Sequence, residues 1–319
     1  MRAYQEYTER MRETARRLLA ENQVDVVIGF RRGTLPFMNE PVLVRHADQA
    51  QHLVWDGNCG VNLANYLPKR PDRVAIVAKG CESRNIAVHL LENQIKREQL
   101  TILGAPCHGM LDRRRILEEL NGKEPLHCEE GDDQLVVNGN GFVQTFKRDE
   151  VLQENCAICI HRNPVIYDEL LGELVSEQQN VDRYPDVRRL EAMTSEQRWQ
   201  YFEELIAPCI RCYACRNACP LCYCPTCFVD ESRPQWVGKS IDRTDTRTFH
   251  FLRAYHCAGR CTDCGACERA CPVGIKVRQF TKKLEKDVLE LYGYEAGMNL
   301  NDPPPLDTYR PDDPEWFIK

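Results

Sequence analysis

A doubled run of cysteines constrains this chain more than any other feature. Cys209-x-x-Cys212-x-x-Cys215-x-x-x-Cys219-Pro220 returns 52 residues later (209 to 261) as Cys261-x-x-Cys264-x-x-Cys267-x-x-x-Cys271-Pro272. Three thiolates at two-residue gaps can wrap one corner of an iron–sulfur cubane, and the proline then turns the chain toward a neighbour. In this pattern the fourth cysteine of each run ligates the other cluster. One 4Fe–4S cluster is thereby assigned to Cys209, Cys212, Cys215 and Cys271, and a second to Cys261, Cys264, Cys267 and Cys219. Zinc knuckles usually pair two Cys-x-x-Cys units across a spacer. Two complete four-cysteine runs with trailing prolines do not match that pattern.

The chain has 18 cysteines in 319 residues. In a short secreted protein such density reads as disulfides; inside a cell it reads as metal or redox chemistry. The N-terminus is charged and lacks an apolar signal core, and no run approaches the roughly 18 apolar residues of a membrane helix. These features lead us to expect a soluble cytoplasmic protein with reduced thiols, suited to anaerobic life. A formal charge of −6 argues against a basic nucleic-acid-binding face.

Residues 1–175 read as an α/β domain with a mostly parallel sheet. Residues 1–22 have the pattern of an amphipathic helix. Strand-like runs at Val24–Phe30, Pro41–Arg45, Gln51–Trp55, Val74–Ala78 and Leu100–Ala105 alternate with helices at Ser83–Glu92 and near Arg113–Asn121. Residues 128–148 read as a polar hairpin turning at Asn138-Gly139-Asn140-Gly141. Residues 176–300 read as an all-α dicluster domain. Thr194-x-x-Gln197 opens one helix as a capping box, and Phe251, Leu252 and Tyr255 stripe another that Gly259 would close. Residues 301–319 carry five prolines and read as an extended tail whose Trp316-Phe317-Ile318 could latch onto a neighbour.

Cys81 follows one strand and Cys107 another, so parallel pairing would put both thiols at the carboxyl edge of the sheet, where open α/β folds gather ligands. Cys156-x-x-Cys159 supplies two more, completing Cys81, Cys107, Cys156 and Cys159 for a third 4Fe–4S cluster. Buried structural thiols are the plainer alternative.

Three segments carry a family resemblance: Lys79-Gly-Cys-Glu-Ser-Arg-Asn-Ile86, Leu103-Gly-Ala-Pro-Cys-His-Gly109 and Cys156-Ala-Ile-Cys159. Over roughly residues 20–175 the chain resembles the beta-subunit family of coenzyme F-420 hydrogenases and dehydrogenases. The resemblance implies an α/β domain with one 4Fe–4S cluster and an FAD, whose loop would fall at Gly57 and Gly60. Relatives commonly carry a ferredoxin module before this domain; here it follows. The second half resembles the helical dicluster subunits of heterodisulfide reductases, on Arg253-Ala-Tyr-His-Cys-Ala-Gly-Arg-Cys261 and the run after it.

Six cysteines are left over: Cys59, Cys128, Cys222, Cys224, Cys227 and Cys257. A fourth centre on Cys222, Cys224 and Cys227, completed by Cys257 or Cys59, competes with the preferred reading that these thiols pack around a cluster and tune it. Arg84, His108 and Arg162 sit where they could meet a flavin or an anion. The expected role is an iron–sulfur electron-transfer subunit with redox partners of the formate dehydrogenase, hydrogenase or heterodisulfide-reductase kind. The rival is an FAD enzyme that oxidises a reduced deazaflavin or nicotinamide and itself reduces ferredoxin; a zinc-bearing scaffold is the third reading.

Overall fold

The computed structural model describes residues 1–305 and 310–316. Helix α1 (Arg2–Ala20) buries Tyr4, Tyr7, Met11, Ala15 and Leu18. Their spacing of three and four residues makes one apolar stripe. Strand β1 (Val26–Arg32) and strand β2 (Asn39–Val44) pair antiparallel. The candidate strand at Gln51–Trp55 does not form. Residues Ala47–His52 coil into a 3₁₀ helix instead, and Leu53 alone bridges back to Arg31.

Strand β3 (Val74–Ala78) is wholly buried, as expected of five successive apolar residues between covered faces. Helix α2 (Gly80–Leu91) follows at once, then strand β4 (Leu100–Gly104) and helix α3 (Arg113–Glu119), capped by the Asp112 carboxylate. Strands β5 (Pro125–Glu130), β6 (Gln134–Gly139) and β7 (Phe142–Lys147) form a separate antiparallel meander. Its β6–β7 turn falls on Asn140-Gly141, with Gly141 in the left-handed region (φ 76°). After helix α4 (Glu154–Ala157), strand β8 (Glu169–Leu170) completes the main sheet in the order β2-β1-β3-β4-β8. Every pairing in it except β1–β2 is parallel.

Beyond Leu170 the regular elements among the described residues are helices. They are α5 (Pro185–Glu191), α6 (Ser195–Ile206), α7 (Ala214–Asn217), α8 (Arg243–Tyr255), α9 (Ala266–Ala270) and α10 (Arg278–Tyr292). The capping box at Thr194 and Gln197 forms as the sequence predicts. On α8 the predicted stripe has the wrong phase. Phe251 and Tyr255 are exposed, with rings 4.7 Å apart, while Phe249, His250, Arg253 and Ala254 face inward. Gly259 lies past the helix end at His256, and Pro304 and Pro305 of the tail pack against it. Phe317 and Ile318 of the proposed latch lie outside the described residues. None of the described helices is long and apolar enough to cross a membrane.

The two halves are tied together closely. Val88 shares an apolar cluster with Leu221, Val288, Tyr294 and Ala296. Arg84 Nε donates to the Ala296 carbonyl (2.9 Å), Asn65 Nδ2 to that of Asn217 (2.9 Å), and Arg260 Nη2 to the Glu92 carboxylate (2.8 Å).

Candidate iron–sulfur centres

Strands β3 and β4 run parallel with Ala78 opposite Gly104, so the turns that leave them lie side by side at the carboxyl edge of the sheet. Cys81 sits in the first turn of α2, and Cys107 three residues past β4. Cys156 and Cys159 come from α4 and the turn behind it. All four line one cavity, the sheet topology accounting for Cys81 and Cys107. Gly80 permits this closeness. A side chain there would run into the His161 carbonyl, two residues past Cys159.

Lys79, Arg84, Arg162, Arg183, Arg269 and Lys282 line the same cavity. That is a strongly cationic surround for thiolates. Lys79 is paired with Glu82 at 2.8 Å, both almost wholly buried. The Gly109 amide donates to Cys107 Sγ (3.3 Å). Burial pushes the Cys107 thiol up to about 11 and that of Cys159 to about 12, with Cys156 adding to both. Such thiols are neutral near pH 7 until a metal takes them as thiolates.

The two cysteine runs have matching backbones. Arg211 and Tyr213 in the first run, and Asp263 and Gly265 in the second, are all left-handed, with φ of 50°, 59°, 55° and 70°. Those positions fall in the gaps between cysteines, 52 residues apart in each case (211 to 263, 213 to 265). The short helices α7 and α9 follow at the same offset and pack on each other. Arg211 holds its unfavourable conformation by donating to the Gly238 carbonyl (2.7 Å) and the Tyr213 hydroxyl (2.8 Å).

Cys209, Cys215 and Cys271 pack in one cluster, and after burial, which raises the thiols of Cys209 and Cys215, the neighbours that add to the rise include Cys271 and Cys212. Cys219, Cys261, Cys264 and Cys267 line a second cavity. The interlocked assignment thus brings Cys271 to the first run and Cys219 to the second. Backbone amides of Arg211 and Ile275 donate to Cys209 Sγ (3.4 Å) and Cys271 Sγ (3.3 Å). Amide bonds to sulfur of this kind tune cluster potentials. His250 Nε2 lies 3.2 Å from Cys209 Sγ; a thiolate only accepts, so the ring donates.

Among the described residues, no three Cys, His, Asp or Glu side chains converge tightly enough to hold a single metal ion. A cubane spreads its four thiolates over a larger body than one tetrahedral zinc does. The leftover thiols do not form one set, although Cys222 and Cys257 contact each other. Cys222 and Cys257 lie against Cys219, whereas Cys227 contacts Arg216 and packs beside Cys215 and Cys271. Cys224 is exposed. Cys59 is buried in the first core, where its sulfur accepts from Asn39 Nδ2 (3.4 Å) and the Asp56 amide (3.5 Å).

The glycine loop does not fit a flavin phosphate. The Gly57 amide donates to Glu130 (2.8 Å), and a Cβ at Gly57 would strike that carboxylate. Glu130 is itself paired with Arg148 (2.8 Å). The place a phosphate would take beside Gly57 is held by a fixed anion, and Gly60 lies against Arg269 and Gln153. Of the other candidates, Arg84 and Arg162 reach the N-terminal cavity, Arg84 ion-paired to Glu295 at 3.3 Å, while His108 packs edge-on to Tyr4.

Two residues to which the sequence reading gave no role border these cysteine sets. His250 contacts Cys209 of the first set, and Arg253 lines the second cavity while donating to the Cys215 carbonyl (3.0 Å). The available signal was helical phase: both lie on the face of α8 that ends in Cys257.

Residues 204–275 match the family described as "4Fe-4S dicluster domain". The F420-dependent formate dehydrogenase subunit beta of Methanocaldococcus jannaschii is 23% identical, covering 90% of this chain and 91% of that one. The F420-dependent formate dehydrogenase 1 subunit beta of Methanococcus maripaludis is 34% identical, covering 91% of this chain and 90% of that one. A solved chain of the F420-reducing [NiFe] hydrogenase complex from Methanosarcina barkeri overlaps 50% of this chain at 14% identity and a TM-score of 0.38. The overlap spans 63% of that chain, less than two thirds, and the likeness is too low to carry an argument. The dicluster match and the full-length relatives make this an iron–sulfur electron-transfer protein. At 34% identity over nine tenths of both sequences, the chain belongs to the family of F420-dependent formate dehydrogenase beta subunits.

Proposed function

We propose that this chain is the electron relay of a formate dehydrogenase complex, with three 4Fe–4S centres in line between a formate-oxidising partner subunit and the carrier coenzyme F420. The α/β part, to residue 175, would hold one centre on Cys81, Cys107, Cys156 and Cys159. The helical module, 176–300, would hold the interlocked pair. When bound, each cluster takes up and releases one electron.

One observation carries the linear order. Cys264 lines both the N-terminal cavity and the cavity of the second set. Thr262 Oγ1 donates to the Cys81 carbonyl (3.3 Å) and Asn155 Nδ2 to the Asp263 carbonyl (3.1 Å), fixing the two loops against each other. On the far side, the Cys267 thiol, raised mainly by burial, is raised further by its neighbour Cys215 of the first set. The middle set therefore touches both outer ones. At the far end, Cys212 is exposed, the only one of the twelve assigned cysteines that is. With Ile210 exposed beside it, this is the natural face for exchange with a docked partner. Because Glu130 fills the glycine loop, the two-electron group that must gather single electrons into the hydride F420 accepts would bind elsewhere in the complex.

Anaerobic purification of the chain, with iron, acid-labile sulfide and flavin counted, tests this reading. About 12 iron atoms per chain are expected, four for each of three clusters. A colourless chain with zinc and no sulfide would overturn it.

A further inference from the structure

We infer that Arg253 is the shared cation of the paired centres, holding the reduction potentials of both above the values that their thiolates alone would set. This rests on reading the two cysteine sets as 4Fe–4S clusters.

Arg253 is 4% exposed on the inner face of α8. Its Nη2 donates to the carbonyl of Cys215, a ligand of the first set (3.0 Å). The same side chain lines the cavity ringed by Cys219, Cys261, Cys264 and Cys267, the whole second set. Its Nε has no hydrogen-bond partner, and among the described residues no carboxylate pairs with it.

The contrast with neighbouring cations is informative. Arg278 and Lys282 border the second run, but Asp263 pairs with both, at 3.0 and 2.8 Å. Arg211 spends its donors on carbonyls and lies 3.8 Å from Asp245. Among the described residues, Arg253 alone carries an unneutralised charge between the two sets. A buried, unpaired guanidinium is strongly unfavourable unless negative charge meets it. The negative charge available here is that of the thiolates, and an all-cysteine cluster gains one more unit of it on reduction. A fixed cation favours the more negative state of both neighbours, so both reduce more readily. His250, by contrast, bonds to Cys209 of the first set and acts on one centre.

The test is an EPR-monitored redox titration of the full chain, purified anaerobically, with iron and sulfide counted first. Arg253→Met should keep the wild-type iron content while both potentials of the pair move negative. His250→Leu should move only one of them. Full iron with both potentials unmoved in Arg253→Met, or with only one moved, overturns the shared role and leaves the cluster assignment standing. A wild-type chain without iron and sulfide sinks the cluster assignment itself. If Arg253→Met fails to load iron, Arg253→Lys decides. Loaded clusters with both potentials held near wild type support a role for charge. A lysine chain that also fails to load, or in which either potential falls, overturns it.

Discussion

His89, on the helix that follows β3, lies 2.7 Å through Nε2 from the carbonyl of Pro220, the proline that closes the first cysteine run. A carbonyl only accepts, so the ring donates from Nε2 and is held in that tautomer. The Tyr223 and His89 rings meet edge to face, 5.5 Å between centroids. Burial pushes the His89 pKa down to about 4, against the opposing pull of the carbonyl, and the Arg260 charge adds to the fall.

Stability of the joined halves should therefore decline in mild acid. An unfolded histidine takes up a proton near pH 6.5, whereas folded His89 resists until about 4. The unfolded state binds more protons in that window, so stability falls as pH drops through it and levels off below. Near pH 5.5 the loss from this residue is about 1 kcal/mol. His89→Gln keeps a donor but cannot titrate. Thermal melts from pH 7.5 to 5 should show a shallower decline in Tm for the variant, the remainder coming from other groups such as His250, whose pKa burial also pushes to about 4, and His108 and His256, which burial also lowers. An identical pH slope in both proteins would rule His89 out.

Cys212→Ser should remove one cluster of the pair and leave the N-terminal centre loaded. Cys212 is the exposed member of its set, so the substitution disturbs little packing. About four iron atoms per chain should be lost, with one EPR signal. Loss of all signals together would show that the three centres assemble only as a unit.

Glu295 gathers polar partners from both halves. His161 Nε2 lies 2.7 Å from it, Arg183 Nη2 2.5 Å and Arg84 Nη2 3.3 Å. Burial opposes its charge, yet the His161 hydrogen bond and the Arg84 and Arg183 charges hold its carboxyl down at about 2. The stability it confers is full above an ordinary glutamate pKa and is lost as pH falls toward 2. Glu295→Gln at pH 7 should cost about 2 kcal/mol, because buried Arg84 loses its counter-charge, while Arg183 keeps only Glu285, at 2.9 Å. Combined with Arg183→Met, the loss in urea titration should be less than the sum of the two single losses. Strict additivity would deny the coupling.

The parts of this molecule governed by short-range rules were readable in its sequence. Five apolar residues at Val74–Ala78 make a buried strand, and Thr194 with Gln197 makes a capping box, whatever lies nearby. The carboxyl-edge argument brought Cys81 and Cys107 together because parallel pairing fixes both strand ends. Misreadings came where tertiary partners decide. Apolar spacing on α8 pointed to Phe251 and Tyr255, but the thiols under that helix call for His250 and Arg253, so the hydrophobic stripe faces outward. Gln51–Trp55 had strand composition, yet β1 already has β2 and β3 as neighbours and gives Leu53 only a bridge. Gly57 looked like a phosphate turn because the carboxylate that fills it, Glu130, lies 73 residues away.

Gly80 offers the sharpest test of how the N-terminal centre is built. It opens α2 directly before Cys81, and a methyl group there would collide with the His161 carbonyl, which backbone cannot yield cheaply. Relief requires the start of α2 to move away from the loop of Cys156 and Cys159, separating Cys81 from its partners. Helix propensity alone would favour alanine over glycine by about 1 kcal/mol at an interior position, so a purely helical effect would stabilise the chain. The collision predicts the opposite. Gly80→Ala should lose about four iron atoms per chain, one cluster's worth, while the paired clusters keep their EPR signals. A variant with unchanged iron and a higher Tm would show that the four thiols do not depend on this close approach.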